Sequence, residues 1–132
     1  MSLSIKPIKI AVIEDEPDTA EMIAEMMRIS GYEVAKYFSS TSALDSLKQE
    51  KPAAVILDVM MPDYSGLELL RMMRQAPEFQ LLPVIVVSAL HFSTDIEAGF
   101  AAGATLYLTK PVSYVDLKQA VQQVISSTDQ DV

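Results

Sequence analysis

Five short runs of apolar and β-branched residues, Ile8 to Ile13, Glu33 to Phe38, Ala53 to Leu57, Pro83 to Val87 and Thr105 to Leu108, alternate along this chain with five longer stretches of helical spacing. That alternation constrains the fold more than any other feature. Parallel strands cannot be joined by tight turns and need crossover connections, usually helices. Strand–helix repeats therefore predict an α/β fold: one doubly wound, five-stranded parallel sheet flanked by five helices. The third and fourth runs contain "AVIL" and "VIVV", apolar without alternation, as expected of strands covered on both faces.

The helical stretches carry their own signals. In "DTAEMIAEMMRISG" the residues Ala20, Ile23, Ala24 and Met27, with Met26 at the margin, form one apolar stripe, and Gly31 stands at the expected C-cap. A second helix is predicted over Thr41 to Lys48, after a Ser-Ser-Thr-Ser cluster suited to N-capping. The third covers Ser65 to Gln75, with Leu67, Leu69, Leu70 and Met73 inward and Glu68, Arg71 and Arg74 outward. The fourth runs from Asp95 to Ala102 and is closed by Gly103. The fifth covers Ser113 to Ile125, burying Val115 or Leu117 together with Ala120, Val121 and Val124. The pairs Met26-Met27, Met60-Met61 and Met72-Met73 read as core fillers, with a share for adaptable partner contact on the first helix.

At 132 residues there is room for one hydrophobic core. The reading divides the chain into an N-terminal extension (1–7), a domain (8–126) and a flexible polar tail (127–132). Half the residues are apolar, which excludes a disordered chain, and the formal charge of −8 opposes direct binding to nucleic acid or to anionic membrane. There is no cysteine, hence no disulfide and no thiolate chemistry. The longest apolar run, Leu81 to Leu90, is interrupted by Pro83 and too short to span a bilayer. With no signal-peptide pattern at the N-terminus, the expected compartment is the cytoplasm.

Ligands of open α/β sheets bind beyond the carboxyl ends of the strands, so the last residue of each strand is informative. The first strand ends in Glu14, Asp15 and Glu16, the third in Asp58, the fourth in Ser88 and the fifth in Lys110. Glu14, Asp15 and Asp58 would converge with one ammonium, leaving a charge of about minus 2 that raises carboxylate pKa values unless a counterion is present. Such an oxygen-rich site suits Mg²⁺, which keeps waters that phosphate oxygens can replace. Ser88 and Lys110 are then donors for the other oxygens of a phosphoryl group. Competing readings are weaker. A Walker B strand would need a GxxxxGK[ST] loop, and none occurs. An aspartyl phosphatase would carry a second Asp where Met60 stands, and a flavodoxin-like cofactor binder would not place "EDEPD" where phosphate must sit. The single His91 reads as exposed and non-ligating.

The segments "VIEDEPD", "ILDVMMPDYSGLELL", "VIVVSA" and "AGATLYLTKP", with 30 residues from Asp58 to Ser88 and 22 from Ser88 to Lys110, resemble those of response regulator receiver domains of two-component systems. The resemblance covers about Ile8 to Ile125 and implies the strand order 2-1-3-4-5. It implies that Asp58 accepts a phosphoryl group from a histidine kinase or histidine phosphotransfer protein. Mg²⁺ would be held by Asp15 and Asp58, by the backbone carbonyl of Met60, and by Glu14 directly or through water. Lys110 would bind phosphoryl oxygens, Ser88 and Tyr107 would act as the switch, and Pro111 would follow a cis peptide bond. Signalling would pass to a downstream protein through the fourth helix, fifth strand and fifth helix. The domain would catalyse only its own phosphorylation and slow dephosphorylation; the alternative is an unphosphorylated interaction module with the same fold.

Several positions depart from the family's commoner pattern. Glu14 stands where Asp is usual, which would shift metal affinity. Met60 and Leu90 are apolar and cannot orient an attacking water, so hydrolysis of the acyl phosphate should be slow. With Thr105 and Leu106 after "AGA" and no arginine beyond Arg74, a salt-bridged dimer is not expected, which leaves a monomer or weak dimer. Pro62 and Gly66 would shape the loop into the third helix. No output domain follows residue 126, so the expectation is a stand-alone regulator or a receiver cut from a larger protein.

Overall fold

The computed structural model describes residues 7–61 and 65–130, with side chains to 126; Pro62 and most of the N-terminal extension lie outside the described residues. Strands β1 (Lys9–Ile13), β2 (Glu33–Tyr37), β3 (Ala54–Leu57), β4 (Val84–Ser88) and β5 (Leu106–Thr109) form one parallel sheet in the order β2-β1-β3-β4-β5. Helices α1 (Pro17–Ile29), α2 (Ser40–Glu50), α3 (Gly66–Gln75), α4 (Ser93–Ala102) and α5 (Tyr114–Gln130) supply the crossovers. No helix among the described residues is long and apolar enough to cross a membrane.

Strand residues alternate between two cores. On one face Ala11, Ile13, Val55, Leu57, Val84 and Val86 pack against α2 and α3 through Leu47, Leu69, Leu70 and Met73. On the other, Ile10, Val12, Ala54, Ile56, Ile85 and Val87 meet α1 and α5 through Ile23, Met27, Leu117 and Val121. This is why β3 and β4 are apolar without alternation up to Ser88: each of those residues faces one core or the other. Burial of each large side chain contributes roughly 1.5–3 kcal/mol, while a solvent-screened surface pair such as Lys36–Glu21 contributes little. The sheet and its two cores therefore hold the fold.

Local chemistry sets the helix ends. The Ser39 and Ser65 hydroxyls accept from backbone N–H groups at the starts of α2 and α3, and Glu16 caps α1. Gly31 and Gly103 lie at positive φ just past α1 and α4, as C-terminal glycines do. Three features differ from the sequence reading. Leu117, not Val115, is the buried residue, Val115 being more than half exposed. Helix α5 continues through 126–130, because "SSTDQ" holds neither proline nor glycine to stop it. In the two helical methionine pairs only one member is well buried, since neighbours on a helix point about 100° apart: Met27 and Met73 are in the core, Met26 is half-buried and Met72 exposed; in the loop pair Met60 is exposed and Met61 half-buried.

The fourth difference is Arg74, expected outward. Its guanidinium folds back, donating from Nε and Nη2 to the Gly103 carbonyl at 3.0 and 2.8 Å and from Nη1 to the Phe79 and Leu82 carbonyls, both at 2.7 Å. It satisfies carbonyls from a short 3₁₀ turn (Pro77–Phe79), the approach to β4 and the α4–β5 corner, tying three connections to α3. Arg74→Met should lower stability by about 1–3 kcal/mol, read as a reduced urea midpoint. Arg74→Lys should recover little of the loss, because one ammonium cannot reproduce the planar fork.

Candidate functional site

The register of the sheet brings the charged strand ends together. Ile13 pairs with Leu57, and the Asp58 N–H to Ile13 carbonyl bond at 2.9 Å extends the β1–β3 ladder one residue beyond β3. The Glu14 N–H donates to the Tyr37 carbonyl at 3.0 Å, and the Lys110 N–H to the Ser88 carbonyl at 2.8 Å. Backbone bonds thus fix Glu14, Asp58 and Lys110 on one rim before any side chain is considered. Gly66 supports this rim from the start of α3. A Cβ there would lie 2.6 Å from the Asp58 carbonyl oxygen, so only glycine lets the helix approach so closely.

Both oxygens of Asp58 are engaged: Oδ1 accepts from the Met60 N–H at 2.9 Å and Oδ2 from Lys110 Nζ at 3.0 Å. The same ammonium donates to Glu14 Oε1 at 2.7 Å, and Glu14 Oε2 accepts from the Glu16 N–H at 3.3 Å. Glu14 is 2% exposed and Asp58 6%, so each needs a partner, whereas Asp15 is exposed. Oxygens of Glu14, Asp15 and Asp58 lie within 4.8 Å of one another. Burial pushes the Glu14 carboxyl up to about 7; the Lys110 hydrogen bond opposes that shift and the Asp58 charge adds to it. Burial works against the Lys110 charge as well, but the hydrogen bonds to Glu14 and Asp58 prevail and hold its pKa above the ordinary lysine value.

Ser88 is fully buried at the end of β4, and its hydroxyl accepts from the Leu90 N–H at 3.1 Å. The half-buried Tyr107 donates its hydroxyl to the Leu90 carbonyl at 2.7 Å. Ser88 and Tyr107 therefore meet on the backbone of Leu90, and their hydroxyls also lie within hydrogen-bonding reach of one another. The Lys110–Pro111 peptide is cis. The Met60 and Leu90 side chains are exposed at the positions following Asp58 and Ser88, and His91 is exposed, its ring stacked on Phe92. The sequence reading missed two contributors, the Met60 N–H and the Leu90 backbone, and assigned Gly66 to shaping the loop into α3 but not to the close approach it permits. Backbone groups leave no trace in side-chain identity, but a glycine in the first turn of an otherwise good helix was a visible sign of crowding.

The donor set is hard oxygen, anionic and partly open to solvent through Asp15, which fits a divalent cation such as Mg²⁺ and excludes soft metals. A carboxylate beside an ammonium is also a competent nucleophile toward phosphorus, with the cation placed to neutralise the incoming oxygens.

The family described as response regulator receiver domain matches residues 10–122. The phosphate regulon transcriptional regulatory protein PhoB of Rhizobium meliloti is 34% identical over 124 residues, covering 94% of this chain and 55% of that protein. The chain thus spans about half the length of this relative. The receiver domain of the Francisella response regulator 1452 superposes with a TM-score of 0.85 at 28% identity, covering 93% of this chain and 99% of that one. The receiver domain of the Pseudomonas aeruginosa sensor histidine kinase PA1611, whose active site cleft coordinates a magnesium ion, gives a TM-score of 0.85 at 26% identity over 92% of this chain and 99% of its own.

Glu14 ties the site to folding stability. Its folded pKa of about 7 exceeds the ordinary 4.5, so between these values the folded state holds a proton that the unfolded chain has released. The stability it contributes is fully present below about pH 4.5 and is lost as pH rises to about 7, a change on the order of 3 kcal/mol. Urea unfolding in chelator-treated buffer should show that decline, and Glu14→Gln should flatten it. Parallel profiles for the two proteins would refute this account.

Proposed function

The chain belongs to the response regulator receiver domain family, and from that membership we propose that Asp58 is its phosphoacceptor. The observation that carries this reading is the rim itself: a nearly buried carboxylate, held by a backbone N–H and an ammonium, with two further acids within reach. The donor would be a phosphohistidine of a histidine kinase or histidine phosphotransfer protein. An Asp58 oxygen attacks phosphorus as the phosphorus–nitrogen bond breaks, and the departing imidazole takes a proton. The transition state is loose, so alignment and neutralisation supply most of the acceleration. Lys110, already within 3.0 Å of Asp58, neutralises the phosphoryl oxygens.

Asp15, Asp58, the Met60 carbonyl and Glu14 are the groups proposed to hold Mg²⁺, which when bound neutralises charge on the nucleophile and the phosphoryl oxygens. The magnesium ion of the PA1611 receiver supports this choice. Ser88, now accepting from the Leu90 N–H, would instead donate to the acyl phosphate, and Tyr107 would follow through Leu90. The altered surface of α4, β5 and α5 then selects a downstream protein. Phe92 and Phe100 on this side are exposed and Leu106 is half-buried, giving apolar contacts for that partner.

Incubation with a small phosphodonor and Mg²⁺ should add one phosphoryl group by intact mass, and Asp58→Ala should abolish the adduct. No adduct from any donor would sink the assignment. Lys110→Ala should retain metal binding while slowing phosphoryl uptake by about 10²-fold. The acyl phosphate should last minutes or longer in purified protein with Mg²⁺, because Met60 and Leu90 offer no polar side chain to orient water; decay within seconds would contradict that.

A further inference from the structure

Gly99 is buried in the middle of α4, and its backbone is helical, so its conformation does not require glycine. Glycine within a helix costs about 1 kcal/mol relative to alanine. What the position requires is space. A Cβ at Gly99 would lie 2.7 and 2.9 Å from Cδ2 and Cε2 of Tyr107, rigid ring atoms that cannot yield as a flexible chain end could. The tyrosine ring occupies the volume that a side chain would fill.

The rest of α4 makes this contact weigh more. Its other fully buried residue is the small Ala102, and its N-terminus is held by the Asp95 carboxylate accepting from the Phe92 N–H at 3.1 Å. An element with so little buried apolar surface is easily displaced. The Tyr107 ring that lies on it is anchored by its hydroxyl to the Leu90 carbonyl, and the Leu90 N–H is bonded to Ser88 Oγ at the buried end of β4.

We propose that the missing side chain of Gly99 is the seat that holds the Tyr107 ring against α4, so that Ser88, acting through the Leu90 backbone and Tyr107, sets the position of that helix. Gly99 is a positioning residue for the switch. Its coupling role rests on the phosphoacceptor reading; the seat does not. When Ser88 turns toward a phosphoryl group, the Leu90 peptide loses an acceptor, its carbonyl moves, and the ring must settle differently on Gly99.

The test uses the full chain labelled with 3-fluorotyrosine, the Tyr107 resonance being assigned by its loss in Tyr107→Phe. In Gly99→Ala the ligand-free Tyr107 resonance should move to a solvent-exposed position and no longer respond to beryllofluoride with Mg²⁺, while phosphoryl uptake by intact mass continues. A double-mutant cycle gives a second reading: Gly99→Ala should lower or leave unchanged the thermal midpoint beside Tyr107 but raise it beside Tyr107→Ala, where only helix propensity remains. An unmoved resonance in Gly99→Ala, or equal rises in both backgrounds, would overturn the seat. A wild-type protein that takes no phosphoryl group would overturn the phosphoacceptor reading and the coupling with it, while the ligand-free resonance and the midpoints would still decide the seat.

Discussion

Parallel pairing sends every strand of this sheet in one direction, and so delivers every strand's carboxyl end to one rim. The rest follows from that. The chain leaves β1 for β2 on one side and leaves β3 for β4 on the other, so the crossovers after these two adjacent strands part, and a crevice opens between them. Glu14 and Asp58 are the first residues past β1 and β3 at that crevice, each pinned by a backbone bond that continues a ladder. The site is assembled by the sheet register rather than by loop folding, which is how residues 96 apart in sequence come within 2.7 Å.

Charge is the cost of that assembly. Leaving a buried carboxylate unpaired is unfavourable by several kcal/mol, far more than any of the exposed ion pairs on α1 could offset. A single ammonium, Lys110, serves both buried acids, with backbone N–H groups from Met60 and Glu16 as secondary donors. Burial is the main reason the Glu14 pKa is raised, and the neighbouring Asp58 charge adds to it against the pull of Lys110. The excess of acids over ammonium makes the rim receptive to a cation, and a cation makes it receptive to phosphate. The longer arm of Glu14 has a geometric consequence too, since it reaches Lys110 directly.

Much of this was legible in the residues because the relevant signals were local. The strands showed as apolar runs, and their terminal acids and lysine stood out against them. The serine cluster that caps α2 and the C-terminal Gly31 were legible for the same reason. What escaped was interaction through the backbone or through folded-back side chains. Arg74 sits where helical periodicity points outward, yet its guanidinium curls onto three connections that only tertiary structure brings near. Polar composition points to an end of α5 at Ile125, yet the helix runs on, because nothing in "SSTDQ" breaks a helix. The apolar side chain of Leu90 gives no hint that its peptide group accepts from Tyr107 and donates to Ser88, adding a backbone link to the direct contact between their hydroxyls.

That link also explains why the fold is uneven in firmness. β3, β4 and α3 bury large side chains completely, and α3 is fastened further by Arg74. Helix α4 has neither advantage: it buries small residues and has no side-chain hydrogen bond from its N-cap residue. A switch needs both parts, since a signal generated in a soft frame would dissipate and a uniformly rigid one could not express it. Arg74 holds the Gly103 carbonyl at the far end of α4, so that end is moored to the frame. The near end, beside Leu90 and Tyr107, is held by local bonds from Phe92 to Asp95 and Ile96 rather than by a tie to the frame like that of Arg74. Motion of α4 would then be a pivot about Gly103 rather than a translation, with the largest displacement at Phe92, an exposed aromatic residue on the face proposed to meet a partner.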